Sequence, residues 1–187
     1  MSRFTLSTAS AIFLAIASQS VLAAGFTLTS KELDAGRFTN NQLLSKSYGF
    51  GCSGANHSPS FSWSGAPAGT KSFTLQIYDR DAPTGLGWVH WQVVNIPADT
   101  KFIPANVAPN NSGLPAGAIQ TRTDFGVPGY GGPCPPEGQT HRFEVTLTAL
   151  KVNKLPYVTT DATPAMVGFM TKANTLGEAK IQITQGR

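Results

Sequence analysis

Residues 72–97 predict two strands joined by a short polar turn, and this unit constrains the fold more than any other stretch of the chain. Apolar and polar side chains alternate along residues 72–78, which is the period of a strand with one buried face. Residues 88–96 are rich in Val, Ile and Trp and have the length of a strand. The turn between the strands carries Asp79 and Asp81. We therefore expect this strand pair to form the centre of a β-rich domain.

The second strand of the pair brings a histidine close to the acidic turn. By alternation, one face of this strand is predicted to carry Trp88, His90, Gln92, Val94 and Ile96. The imidazole of His90 would then point in the same direction as an aromatic ring, close to two carboxylates. Two acids and an imidazole at neighbouring strand ends are typical of a functional site.

Other alternating stretches complete a mainly β pattern. Residues 141–150 predict a strand with Phe143 facing inward and Arg142 outward, and His141 has the inward parity. Shorter strands are predicted at 26–29, around Phe61 and Trp63, and at 179–183, with loops at 48–59, 98–127 and 130–138. We expect a sandwich-like domain in which strands dominate.

One helix is predicted near the C-terminal end of the chain. Thr163 is suited to cap the helix, and Pro164 follows at the first helical position. Gly177 is suited to end it. The face expected to be buried is the apolar stripe of Met166, Phe169, Met170 and Ala173.

Residues 1–24 have the pattern of a secretory signal peptide. Arg3 supplies a positive charge, residues 11–17 are an unbroken apolar run, and Ala23 and Ala24 suit a cleavage site. A membrane anchor is the alternative, but the run is shorter than the ~20 residues that a spanning helix needs. We therefore expect cleavage after Ala23 or Ala24, a periplasmic or secreted protein, and one domain over residues 25–187.

The charge balance argues against nucleic acid as a partner. The chain has 14 Lys and Arg residues against 10 Asp and Glu, which is a formal net charge of +4. Among these only Arg3 lies in residues 1–24, so the remainder carries +3. A mild excess without a basic run is not a nucleic-acid footprint, and it would favour anionic partners only weakly.

The chain contains two cysteines, Cys52 and Cys134. Because an exported protein meets an oxidising compartment, an even count favours a disulfide, although two buried thiols would fit the same count. Two cysteines cannot make a structural zinc site unaided. Both lie in loops that flank the candidate site, so a bridge between them would clamp its rim.

Four residues carry the candidate chemistry, Asp79, Asp81, His90 and His141. Two imidazoles and a carboxylate could hold a transition metal, and a general acid–base pair could hydrolyse an ester or a phosphate. The carboxylates could instead orient the imidazoles so that their outer N–H groups bind an anion. The same polar groups could also merely tie a loop to a strand end. The chain has no G-x-S-x-G elbow, and the triplet DFG at 124–126 lacks the other parts of a kinase.

Several motifs occur in order along the chain, namely GFGCSGANHSPSFSWSGAP, YDRDAP, WVHWQVVNIP, DFGVPGYGGPCPP and YGGPCPPEGQTHRF. Together they resemble the phosphatidylethanolamine-binding protein family, and more narrowly its bacterial Raf-kinase-inhibitor-like branch, which includes exported members. The likeness extends from about Phe26 to the last predicted strand.

The resemblance implies two packed antiparallel sheets with peripheral helices, and a small pocket at a sheet edge that holds phosphate, acetate or a phosphorylated head group. Phe143 stands where many relatives have a tyrosine, which removes one hydroxyl donor from the implied pocket. The resemblance and the tight return between the central strands also lead us to expect a cis Ala82–Pro83 bond. The implied ligand-binding residues are Asp79, Asp81, Trp88, His90, Tyr130, Gly132, Pro133, Pro135, Pro136, His141 and Phe143.

We therefore expect a secreted binding or regulatory module that is not an enzyme and needs no cofactor or metal. Its ligand would be phosphate, a carboxylate or a phospholipid head group, and it would act on a protein partner, with a homodimer left open. We expect no transmembrane segment in the mature chain. Asp79 is expected to accept a hydrogen bond from an imidazole and to favour its protonated form, which would donate to the anion. The alternatives are a hydrolase or metal-dependent enzyme using the same Asp/His cluster, or an inhibitor of proteases or kinases.

Overall fold

Strands make up most of the fold, and the longer ones occur where the alternating patterns predict them. The computed structural model describes residues 25–187. In this range one α-helix, α1, spans Pro164–Asn174, and short 3-10 turns cover Lys31–Leu33 and Lys46–Tyr48. The strands are β1 (Thr27–Thr29), β2 (Phe61–Ser64), β3 (Ser72–Asp79), β4 (Trp88–Pro97), β5 (Phe102–Ile103), β6 (Ile119–Gln120), β7 (Thr140–Leu150) and β8 (Thr175–Gly186).

The strands form two antiparallel sheets, which confirms the predicted mainly β sandwich. The larger sheet has the order β6-β4-β3-β7-β8, and the smaller has the order β1-β2-β5. Strand β3 pairs with β4 on one side and along its full length with β7 on the other. The strand pair predicted from residues 72–97 is therefore the middle of the larger sheet.

The main hydrophobic core contains side chains from both sheets. Phe73 and Ile77 of β3 are fully buried, and they belong to one cluster with Phe61 and Trp63 of β2. The ring centroids of Trp63 and Phe73 are 5.5 Å apart, and those of Phe61 and Trp91 are 6.3 Å apart. Burial of these large apolar side chains supplies the main driving force that holds the two sheets together.

A second apolar cluster covers the other face of the larger sheet. It joins Val94 of β4 to Leu150, Leu155, Val158 and Val167. Strand β4 is therefore buried on both faces, which explains why its sequence is rich in Val, Ile and Trp.

An extra residue in β4 makes part of the predicted alternation wrong. Leu75 of β3 pairs with Val93 and Phe73 pairs with Ile96, so two steps along β3 match three along β4. Asn95, in this interval, has a φ of 58°. A one-residue insertion reverses the parity of all that follows. Ile96 consequently joins the core between the sheets, while Val94 joins the cluster on the opposite face. The predicted common face of Trp88, His90, Gln92, Val94 and Ile96 therefore does not exist as one surface.

Helix α1 begins as predicted but buries a different face. The Thr163 side chain accepts a hydrogen bond from the backbone N–H of Met166 at 3.3 Å, which is the predicted cap. The helix packs on the second cluster through Val167, which is 2% exposed, and Met170. Phe169 is 69% exposed. The predicted buried stripe is wrong at Met166, Phe169 and Ala173, which are all exposed.

Gly177 lies inside β8 and does not end the helix. Helix α1 stops at Asn174, and β8 begins at the next residue. Gly177 pairs with Ala149 of β7, and a Cβ atom there would lie 2.9 Å from the ring of Pro67. The small residue is therefore explained by close packing on β8.

The predicted signal peptide, residues 1–24, lies outside the described residues. Across residues 25–187, no helix combines the length and the apolar character needed to cross a membrane.

Candidate functional site

A pocket of about 190 Å³ opens where β3 ends and where β4 and β7 begin. The three strand ends meet because β3 is antiparallel to both of its neighbours. The pocket thus gathers side chains from segments that are far apart in sequence. Its lining residues are Leu44, Phe50, Asp79, Ala82, Pro83, Thr84, Trp88, His90, Phe125, Gly132, Cys134, Pro136 and His141.

Asp79 and His141 form a buried polar pair in the pocket wall. The Oδ2 atom of Asp79 lies 2.7 Å from Nδ1 of His141, and both side chains are about 5% exposed or less. Oδ1 of Asp79 accepts the backbone N–H of Asp81 at 2.9 Å. Asp79 pairs with Phe143, so His141, two residues earlier, lies on the same face of the sheet. The carboxylate therefore fixes the imidazole with Nδ1 as the donor, while Nε2 lies 2.9 Å from Oε1 of Gln139.

His90 lines the same pocket and lies at a bulge in β4. Asp79 pairs with Trp88 and Ile77 pairs with Trp91, so β4 again has one residue more than β3. Bulges change the direction of nearby side chains and are frequent beside functional sites. Here the extra residue lies in the short interval that contains His90.

His90 is held by a main-chain carbonyl, not by a carboxylate. Its Nδ1 atom lies 2.8 Å from the carbonyl oxygen of Gly131, and its ring packs edge-on against Phe125 and Phe143, with centroids 5.5 and 5.3 Å away. Because a carbonyl only accepts, Nδ1 donates, and Nε2 of the neutral ring is an acceptor. Burial lowers the pKa of His90, against the opposing effects of the Gly131 carbonyl and the Asp79 charge. The structure therefore favours a neutral His90, whereas the sequence led us to expect imidazolium groups.

Aromatic side chains form much of the remaining wall. The rings of Trp88 and Phe125 meet edge-on at 5.2 Å, and Phe125 also packs against Tyr48 and Phe50, at 5.3 and 6.1 Å. The indole N–H of Trp88 is buried and has no acceptor among residues 25–187, so it can serve a ligand oxygen or a water. An apolar wall of this kind strengthens polar contacts made inside it, because it excludes water.

Gly131 and Gly132 let the turn before β7 approach its neighbours very closely. A Cβ atom on Gly132 would lie 2.1 Å from the carbonyl oxygen of Gln42, and one on Gly131 would lie 2.3 Å from the ring of Phe125. No larger residue fits at either position without movement of the surroundings. This close packing fixes the carbonyl that holds the His90 ring.

The predicted disulfide between Cys52 and Cys134 is present at the pocket rim. The two Cα atoms are 5.9 Å apart, and Cys134 lines the pocket. Arg187 reinforces the same rim, because its guanidinium donates to the carbonyl of Phe50 and to the carboxylate of Glu137, each at 3.0 Å. The loop that carries Phe50 is thereby tied to the turn that precedes β7.

Asp81, a predicted ligand-binding residue, lies outside the pocket. Its Oδ1 atom accepts from Nη2 of Arg142 at 2.6 Å, and its Oδ2 accepts from Nε at 2.8 Å. These hydrogen bonds hold the pKa of Asp81 well below its usual range. The carboxylate is thus committed to an exposed arginine on β7 and is not among the residues that line the pocket.

The turn that carries both carboxylates is built from trans peptide bonds. All peptide bonds within residues 25–187 are trans, so the expected cis Ala82–Pro83 bond is wrong. The turn is closed instead by side-chain to backbone hydrogen bonds, from the N–H of Asp81 to Asp79 and from the hydroxyl of Thr84 to the carbonyl of Gly87 at 2.6 Å.

Several other predicted residues support the pocket from behind. Tyr130 is buried, its hydroxyl donates to the carbonyl of Gln42 at 2.8 Å, and burial raises the pKa of Tyr130 well above its usual value. Phe143 is 1% exposed and packs behind both histidine rings. Pro133 and Pro135 are buried as well. The predicted residues that do line the pocket are Asp79, Trp88, His90, Gly132, Pro136 and His141.

Phe125 is the main lining residue that the sequence reasoning did not single out. Phe125 belongs to the DFG triplet, which lacks the other parts of a kinase. It also belongs to the DFGVPGYGGPCPP motif that carries the family resemblance, and this motif could have indicated its role. Leu44 and Phe50 also line the pocket. Both lie in irregular segments without a hydrophobic period: Phe50 belongs to the GFGCSGANHSPSFSWSGAP motif, whereas no sequence pattern marked Leu44.

The site is a set of directed polar atoms within an apolar wall. Among residues 25–187, no group of three or more His, Cys, Asp or Glu side chains is placed to hold a metal ion. The pocket instead contains two oriented imidazoles: Nε2 of a neutral His90 ring is an acceptor, and Nε2 of His141 contacts Gln139.

Comparison with known proteins identifies the family. The profile of the family described as phosphatidylethanolamine-binding protein matches residues 34–186. The chain is 46% identical over 171 residues to the UPF0098 protein YbcL of Escherichia coli strain K12, a match covering 90% of this chain and 91% of that protein. The UPF0098 protein YbhB of the same strain is 48% identical over 133 residues, covering 71% of this chain and 84% of that protein. The chain therefore belongs to the phosphatidylethanolamine-binding protein family.

Solved structures show the same fold. The crystal structure of Escherichia coli YbcL matches with a TM-score of 0.82 and 44% identity, covering 88% of this chain and 99% of that one. CT736 of Chlamydia trachomatis, described as a putative phosphatidylethanolamine-binding protein homologue, matches with a TM-score of 0.65 and 26% identity, covering 87% and 98% of the two chains. Both agree with the two-sheet architecture described above.

Proposed function

We propose that this protein is an exported binding module whose pocket takes a small anion or the phosphorylated head group of a larger molecule. The observation that carries the proposal is the buried 2.7 Å contact between Asp79 and His141. The carboxylate holds Nδ1, so Nε2 is the nitrogen that meets a ligand, and it donates to an anion when the ring is protonated.

The carboxylate does not conflict with an anionic ligand. One oxygen of Asp79 accepts from His141 and the other accepts the N–H of Asp81, so its negative charge is engaged by two donors. The aromatic wall around Trp88 and Phe125 excludes water and strengthens any charge-assisted bond made by the imidazole.

His90 favours a ligand that also has a hydrogen-bond donor. Its Nδ1 atom is occupied by the carbonyl of Gly131, and burial keeps the ring neutral, which leaves Nε2 as an acceptor. A phosphorylated head group with an ammonium or hydroxyl group would satisfy both His90 and His141, whereas a bare anion would satisfy only His141.

Binding, not catalysis, is the activity that we propose. Catalysis by a nucleophile requires a hydroxyl or thiol within hydrogen-bonding reach of a base. Among residues 25–187, the two pocket-lining side chains of this kind are engaged elsewhere: Cys134 is in a disulfide, and the hydroxyl of Thr84 donates to the carbonyl of Gly87.

Isothermal titration calorimetry with sulfate, inorganic phosphate and phosphoethanolamine tests the proposal. We expect millimolar or tighter binding of these anions, because the pocket contains an imidazole that a carboxylate orients. His141→Ala should weaken binding about 10- to 150-fold, the value of one charge-assisted hydrogen bond. His57→Ala, on an exposed loop, is the control and should bind as the wild type does. Absence of binding by all three probes would overturn the proposal.

Export and a protein partner complete the proposed function. Mass spectrometry of the protein secreted or released from the periplasm should show an N-terminus at Ala24 or Gly25, and an intact Met1 in exported material would contradict this. If the module regulates a partner, saturating phosphate should change the amount of partner that crosslinks to the wild type but not to His141→Ala.

A further inference from the structure

The outer nitrogen of the His141 ring is already occupied by a side chain of the same protein. Nε2 of His141 lies 2.9 Å from Oε1 of Gln139, on the side of the ring opposite to the Asp79 contact. His141 lines the pocket, yet its side chain is only 4% exposed. The atom that the proposed function assigns to the ligand is therefore covered by an amide.

The backbone of Gln139 is fixed, while its side chain is free to leave. The Gln139 N–H donates to the carbonyl of Pro136 at 3.1 Å, and its carbonyl accepts from the N–H of Arg187 at 3.2 Å. The residue as a whole is exposed, so its side chain can rotate into solvent. The contact with His141 can thus open without a change in the fold.

A glutamine amide imitates both kinds of partner that Nε2 can have. Its oxygen accepts from a protonated Nε2, as an anion would, and its NH₂ group can donate to an unprotonated Nε2 after the amide turns over. Gln139 can therefore satisfy the buried ring in either protonation state, whereas an anion matches only the protonated one.

We infer that Gln139 is an intramolecular competitor for the anion position, which must leave His141 before a ligand oxygen can bind there. This inference rests on the proposed function and adds a residue that sets its affinity. Because the Gln139 amide carries no charge, its bond to the ring is weaker than that of an anion, and the apparent affinity is reduced only by the fraction of molecules in which the contact is open, about 3- to 10-fold. Ligands that cannot make a charge-assisted bond gain too little to displace the amide.

The test is sulfate titration of three variants by calorimetry. Gln139→Ala removes the competitor and should bind sulfate about 3- to 10-fold more tightly than the wild type. Gln139→Asn has the same amide on a shorter side chain that does not reach Nε2, so it should behave like Gln139→Ala. Gln139→Glu places a carboxylate against the ring and should weaken sulfate binding. Gln182→Ala, on the exposed side of β8, is the matched control and should not change binding.

The outcomes separate this inference from the function on which it rests. If neither the wild type nor Gln139→Ala binds sulfate, the proposed function fails. If the wild type binds sulfate and Gln139→Ala binds it equally well, the competitor role is overturned. If Gln139→Ala binds sulfate more weakly than the wild type, the competitor role is also overturned, and Gln139 is instead a ligand contact. Nitrogen NMR of the ligand-free protein gives an independent readout. The Gln139→Ala substitution should shift the signal of His141 Nε2 and leave the signal of Nδ1 unchanged. Unchanged Nε2 signals would overturn the inference without any ligand.

Discussion

Nδ1 of His141 lies 2.7 Å from a carboxylate oxygen of Asp79, although the two residues are 62 positions apart in the chain. The contact exists because β3 and β7 pair so that Asp79 lies opposite Phe143. His141 is two residues before Phe143 and therefore lies on the same face of the sheet. The sheet register thus determines the orientation of the ring, and a slip of one residue would send His141 to the opposite face.

Asp79→Asn should weaken anion binding although it removes a negative charge. An amide can donate as well as accept, so it no longer requires Nδ1 of His141 to carry the proton, and the ring loses its fixed orientation. We expect about a tenfold weaker affinity for sulfate, corresponding to one poorly oriented charge-assisted bond. Calorimetry at pH 6.5 provides the measurement.

Asp81→Asn is the matched control for this prediction. Asp81 carries the same chemical group two residues away, but it is paired with Arg142 outside the pocket. Its loss should leave sulfate affinity within about twofold, because Asp81 does not orient either histidine. Tighter binding by Asp79→Asn would favour simple charge repulsion and would reject the oriented-imidazole arrangement.

The burial of His90 should make the protein less stable in mild acid. Because burial lowers the pKa of His90 in the folded state, the unfolded chain binds a proton below about pH 6.5 that the folded chain does not bind. The free energy of unfolding should therefore fall as the pH decreases from 7.5 to 5.5, by up to about 1.4 kcal/mol for each pH unit below 6.5 from this group.

Urea denaturation of His90→Gln at several pH values measures this contribution. The glutamine amide can still donate to the Gly131 carbonyl but cannot gain a proton, so the pH dependence should be flatter than in the wild type. His57→Gln, which alters an exposed histidine, should keep the wild-type slope. Equal slopes for the wild type and His90→Gln would contradict a buried neutral ring.

Opening the Cys52–Cys134 disulfide should lower both stability and ligand affinity. The bridge closes a segment of 82 positions, and a loop of that length predicts a loss of about 4 kcal/mol when the cross-link is removed. Denaturation of the Cys52→Ser/Cys134→Ser variant, compared with the wild type, measures the loss. Affinity should also fall, because the bond ties the Phe50 loop to the turn that holds His90.

Reductant provides the control for the disulfide prediction. Dithiothreitol should reduce the unfolding free energy of the wild type to that of the double variant and should not change the double variant. A wild type whose stability and sulfate affinity are both insensitive to complete reduction would show that the bridge does not support the pocket.

Gly132→Ala should destabilise the protein and disturb the pocket. The added Cβ atom would lie 2.1 Å from a backbone oxygen at Gln42, so the turn must move, at a cost of at least about 1–3 kcal/mol. Gly168→Ala is the control, because a Cβ atom in this position of α1 meets nothing within 4 Å and should stabilise the helix by about 0.5–1 kcal/mol. Thermal denaturation and sulfate titration of both variants give the measurements, and a fully stable Gly132→Ala would contradict the close packing.

The mainly β architecture could be predicted from local patterns because burial of one face of a strand leaves a period of two in the sequence. Residues 72–78 and 141–150 showed that period, and the structure has β3 and β7 there. The same parity placed His141 inward. The Thr163 cap was also predictable, because capping depends only on residues within one helical turn.

Interactions between distant segments decided the rest. The two extra residues of β4 are visible only through pairing with β3, and the one between Val93 and Ile96 sends Val94 and Ile96 to opposite faces. The exposed position of Phe169 follows from which side of α1 meets the second cluster, although its spacing suits a buried stripe equally well.

The site shows the same division. Its acids and imidazoles could be selected from residue type, strand parity and family motifs, because these are properties of short segments. Which carboxylate meets which imidazole was decided by tertiary structure: Asp79 reaches His141, while Asp81 is held by Arg142, 61 positions away. Sequence alone determined which groups were available, and only sheet register and packing decided their partners, because a hydrogen bond depends on a position in space that neither residue specifies by itself.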